Sequence, residues 1–154
     1  MSHLEKIRRI EASRTKLDRT ADFQLWIWAS MTAATHALNA AFHAVGLTDE
    51  DDVYPTQVAG VYVARDDSAA GWSRLMKPPG DVLHVGMPPL DRPVPSHLDE
   101  ACVALGEIEE AGNRFVRGAA EPKSDDPSTC DATYTRCMTL FLEAIERGGQ
   151  AHAD

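Results

Sequence analysis

FQLWIWASMTAATHALNAAFHAVGLT, residues 23–48, runs for 26 positions without a charged side chain. A helix uncharged on every side must be enclosed by protein or by lipid. Its length would span a bilayer, but its composition argues otherwise. Gln24, His36, Asn39 and His43 are costly in hydrocarbon, and few strongly apolar residues offset them. No basic flank follows; Asp49, Glu50, Asp51 and Asp52 do. The stretch therefore reads as the central helix of a helical bundle, and no membrane association is expected. Ala29, Ala33, Ala34, Ala37, Ala40, Ala41 and Ala44 leave room for close helix contacts, within one subunit or between subunits.

No Gly occurs before Gly46 and no Pro before Pro55. Upstream of the run, apolar positions recur at Ile7, Ile10, Leu17 and Ala21, and continue through Trp28, Met31, Leu38, Phe42 and Val45. This three-four alternation predicts a long or kinked N-terminal helix pair over about residues 3–46. With no strong breaker present, continuity or a mild kink is the preferred form, although Thr20 or Asp22 is a suitable cap for a second helix. Gly46 supplies the stop.

Residues 47–95 differ in kind. Seven of the nine prolines fall there. Two β-prone pieces, residues 58–64 and 81–86, suggest a short strand pair, with a short helix from Asp67 through Trp72 and Leu75 between them. Helices resume at Ser96, where Ser96-His97-Leu98-Asp99 has the form of a capping box. Two C-terminal helices are expected, over about 96–118 and 128–148, the latter ending at Gly148-Gly149. The whole chain of 154 residues reads as one mainly α, helical-bundle domain with 47–95 as an irregular insertion.

Net charge is −9, which argues against nucleic acid as a partner. Residues 1–20 carry six basic and three acidic groups, a net of +3, leaving −12 for the remainder. A basic helix on an acidic body suggests docking to that body or to a partner subunit. Cys102, Cys130 and Cys137 form no CxxC pair and suit a reduced, cytoplasmic protein. No signal peptide is read at the N-terminus.

Residues with chemical potential gather on one stripe of the uncharged helix: Thr32, His36, Asn39 and His43. At 100° per residue, His36 and His43 point within about 20° of each other, but they stand roughly 10 Å apart along the axis. That is far for two ligands of one metal ion, so a metal would have to choose one of them. No cofactor motif is present and no metal or other cofactor is expected. The imidazoles are read as satisfied core groups or as a polar pocket. Glu109, inside the apolar stripe of the third helix, is a further pocket candidate, either facing the histidines or paired with Arg14. His84, in Asp81-x-x-His84, is another, placed to close over such a pocket.

The long Ala-rich helix with its His-Ala-Leu-Asn segment loosely resembles the HEPN-type helical bundles, many of which are RNases. Arg92-Pro-Val-Pro-Ser-His97 matches the spacing of their Arg-to-His signature. It departs from it in placing two prolines where that motif is helical. The resemblance implies an RNase or an inactive relative. From the residues themselves, the first expectation is a self-associating protein, most simply a homodimer, that binds a partner or small-molecule ligand. The second is an enzyme with a His/Glu pocket, metal-assisted or not.

Overall fold

The computed structural model describes residues 2–48, 54–55, 62–66, 71–73, 90, 93–118 and 120–151. It is mainly α: a helical bundle of α1 (His3–Arg14), α2 (Phe23–Ala44), α3 (Ser96–Gly112) and α4 (Asp126–Ala151).

The N-terminal region is not one helix. α1 ends at Arg14, and the chain turns back on itself through residues 15–22, so α1 and α2 pack side by side as an antiparallel hairpin. The break is made by polar side chains rather than by Gly or Pro. The Asp18 carboxylate accepts the backbone N–H groups of Thr20 and Ala21, both at 2.8 Å, and the Asp22 carboxylate accepts that of Asp18 at 2.9 Å. Such Asx-type turns offer the backbone an alternative to helix. Asp22 occupies the cap position of α2, but its carboxylate is spent on this turn, not on the helix N–H groups.

The break resets the register of the apolar seam. Trp26 and Ile27 are buried, whereas Trp28 and Ala21 are exposed. α2 is the central helix, packed against α1, α3 and α4. Leu38 and Phe42 are fully enclosed, together with Leu98 and Ile108 of α3 and Cys137 and Phe141 of α4. Each such apolar side chain contributes about 1.5–3 kcal/mol. The hydroxyls inside α2 satisfy themselves locally: Ser30, Thr32 and Thr35 each donate to the carbonyl four residues back, at 2.8–2.9 Å. Gly46, at φ 65°, terminates the helix, with Leu47 N–H bonded to the Phe42 carbonyl at 2.8 Å.

The C-terminal helices correct the expected ends. α3 starts after Pro95, with no side-chain cap, so the predicted capping box is not made. It closes in a π-helical turn, Asn113–Arg117. α4 starts at Asp126 and runs through Gly148-Gly149 rather than stopping there. Gly148 serves close approach instead: a Cβ at that position would lie 2.5 Å from the Ala44 carbonyl oxygen. Three short antiparallel strands, β1 (Tyr54–Pro55), β2 (Tyr62–Asp66) and β3 (Gly71–Ser73), pair in sequence order. β3 takes residues expected to be helical. The β-prone piece at 81–86 lies outside the described residues. Among the described residues no helix is long and apolar enough to cross a membrane.

Candidate functional site

Folding α1 back along α2 brings its first residue to the far end of the hairpin. There His3 meets the two histidines of α2. Its Nδ1 lies 3.1 Å from Nδ1 of His36. Its ring centre stands 5.2 Å from that of His36 and 5.4 Å from that of His43. His3 is buried, at 7% exposure, while His36 and His43 are half-buried. Asn39, between them on the helix, is 2% exposed.

The turn after α2 fixes the third ring. His43 Nδ1 lies 3.0 Å from the Thr48 carbonyl oxygen and 3.1 Å from its hydroxyl. Nδ1 of His43 can donate to the carbonyl when it carries the proton, or accept from the hydroxyl when it does not. The His3–His36 contact imposes a different condition. Two imidazole nitrogens at hydrogen-bond distance share one proton, donated by one ring and accepted by the other.

Of the residues singled out in the sequence, the structure sets His36, Asn39 and His43 together with His3, which the sequence reading did not include. Thr32 is half-buried and its hydroxyl is bonded to the Trp28 carbonyl of its own helix. Glu109 is half-buried on α3, where burial pushes its carboxyl above the usual range and the charge of Arg117 partly offsets this. Arg14, one of the alternative partners considered for Glu109, is engaged with Glu11 and Asp131. The described contacts that build the imidazole cluster come from α1, α2 and Thr48. His84 and Arg92 lie outside the described residues, and His97 is exposed at the start of α3.

A second polar cluster occupies the opposite end of the hairpin. The Arg14 guanidinium lies 5.0 Å from the centre of the Trp26 ring and 4.1 Å from that of Tyr134. It donates to both carboxylate oxygens of Glu11 at 2.8 and 2.9 Å, and Tyr134 donates its hydroxyl to Glu11. Every charge in this group is matched, which marks it as a clamp between α1, α2 and α4. An open groove of about 330 Å³ lies between the start of α2 and Glu121–Pro122.

Among the described residues no group of three or more His, Cys, Asp or Glu side chains is gathered to hold a metal ion. Comparison with protein-family models, with curated proteins and with solved structures gave no match.

Proposed function

We propose that this chain is a small-ligand-binding helical protein whose working site is the cluster of His3, His36, Asn39 and His43. The supporting observation is the 3.1 Å contact between His3 and His36, residues 33 positions apart in the chain. Imidazoles serve equally as hydrogen-bond donors, acceptors and metal ligands. A pair sharing one proton beside a third ring is suited to a small polar ligand. It is equally suited to acid–base work on one, which is the enzymatic form of the same reading.

Self-association across the outer face of α2 completes the proposal. Leu25 is 56% and Trp28 44% exposed on a helix without charge. Two bodies of net charge −9 meet with least repulsion through a neutral face, and an isologous dimer would cover both copies of it. A reduced, cytoplasmic setting fits the three free thiols.

A thermal-shift screen of small polar compounds tests the site. Stabilisation present in the wild type and in the exposed control His97→Ala, but absent in His36→Ala, supports it. Equal responses in all three proteins refute it. Light scattering tests the assembly: a dimer that Trp28→Glu converts to a monomer of unchanged helicity supports it, and a wild-type monomer of 16.8 kDa refutes it.

A further inference from the structure

We propose that His3 and His36 bind a divalent transition-metal ion of the zinc, nickel or copper(II) class through their Nδ1 atoms; this rests on the reading of the cluster as a ligand site and names its ligand. The direction of the two nitrogens selects a cation. The two Nδ1 atoms face one another at 3.1 Å, close enough to share one proton. Two nitrogens that hold one proton between them offer its place to a cation rather than to an anion.

The distances also allow a metal ion. Two imidazole nitrogens at 2.0–2.1 Å from one tetrahedral ion stand about 3.3 Å apart, and their ring centres about 5 Å apart. The observed values are 3.1 Å and 5.2 Å. The metal takes the place of the shared proton.

Donor chemistry narrows the ion. Imidazole suits zinc, nickel and copper, while magnesium and calcium require oxygen ligands. Among the described residues no third ligand is already gathered, and an ion held by these two nitrogens would take its other ligands from elsewhere. His43 is the neighbouring imidazole. Its Nδ1 is held against the Thr48 carbonyl and hydroxyl, at 3.0 and 3.1 Å. The seven-residue gap between His36 and His43 keeps those two rings from sharing one ion. That gap is irrelevant once His3 supplies the second nitrogen.

The test uses the full chain, freed of any affinity tag. Ring-nitrogen NMR spectra of the wild type are recorded on addition of one equivalent of zinc, with calorimetry in parallel. The expected result is one ion per chain, displaced Nδ1 signals for His3 and His36, unmoved signals for His97, and no response to magnesium. His3→Ala and His36→Ala should each weaken binding by about tenfold or more, and His97→Ala should not. Unmoved His3 and His36 signals with zinc, nickel and copper overturn the proposal, as does full binding in His36→Ala. In either case the compound screen decides separately whether the cluster binds another ligand.

Discussion

The guanidinium of Arg14 lies 4.1 Å from the centre of the Tyr134 ring, on a helix more than a hundred residues away in the chain. With Trp26 on its other contact and Glu11 and Asp131 as counter-charges, this one side chain joins α1, α2 and α4. The imidazole cluster depends on it, because His3 reaches His36 only if α1 stays folded against α2.

Arg14→Met should therefore destabilise the protein. It leaves Glu11 without its cation and removes the ring contacts of a side chain only 12% exposed. A loss of about 2–3 kcal/mol is expected, read from urea unfolding. A change within experimental error would show that the clamp is incidental.

Glu11 sets the acid limb of stability. Burial pushes its carboxyl up, but the hydrogen bonds from Arg14 and Tyr134 and the charge of Arg14 outweigh this, leaving it below the usual range. A carboxyl depressed in the folded state stabilises above its unfolded value of about 4.3 and loses that contribution as pH falls through the folded value. Glu11→Gln should lower stability at pH 7 and flatten its decline below about pH 4.3. An unchanged acid limb would contradict this.

Two glycines should respond differently to Ala. At Gly148 the new Cβ meets backbone, the Ala44 carbonyl, which cannot move aside. At Gly112 it meets the sulfur of Met31, at the flexible end of a side chain. Gly148→Ala should cost about 1–3 kcal/mol. Gly112→Ala should cost less, since Met31 can swing and Ala favours helix by about 1 kcal/mol. The reverse order in thermal melts would show that α4 does not pack on the end of α2 as described.

Cys137 should be inert in the native protein. It is fully buried, and burial first, then the neighbouring Cys102, pushes its thiol up to about 12. Burial first, then the charge of Asp99, pushes Cys102 up to about 11. Iodoacetamide at pH 8, followed by peptide mass spectrometry, should leave Cys137 unmodified until denaturant is added. Rapid native labelling would place it outside the core.

Much of the bundle was legible in the sequence because burial writes its own pattern. The charge-free run predicted a central helix, and Gly46 its end. The hairpin was not legible. Its break is made by Asp18 and Asp22, residues that are ordinary on a helix surface and act as breakers only when their carboxylates find nearby N–H groups. Missing the hairpin hid His3, which periodicity places far from His36. The stripe of His36, Asn39 and His43 was readable from spacing alone. The partners of Arg14 were not, since Glu11, one turn away, and Asp131 on α4 compete equally with Glu109 by charge. Gly148 read as a stop because glycine favours helix ends, and only the approach of Ala44 reveals its use inside α4.

The contact between His3 and His36 can be observed directly by nuclear Overhauser spectroscopy on histidine-labelled protein. The folded hairpin predicts cross-peaks between the ring protons of His3 and those of both His36 and His43. A continuous N-terminal helix would hold His3 and His36 roughly 50 Å apart; the absence of those cross-peaks, with α1 and α2 both helical, would contradict the hairpin and the site built on it.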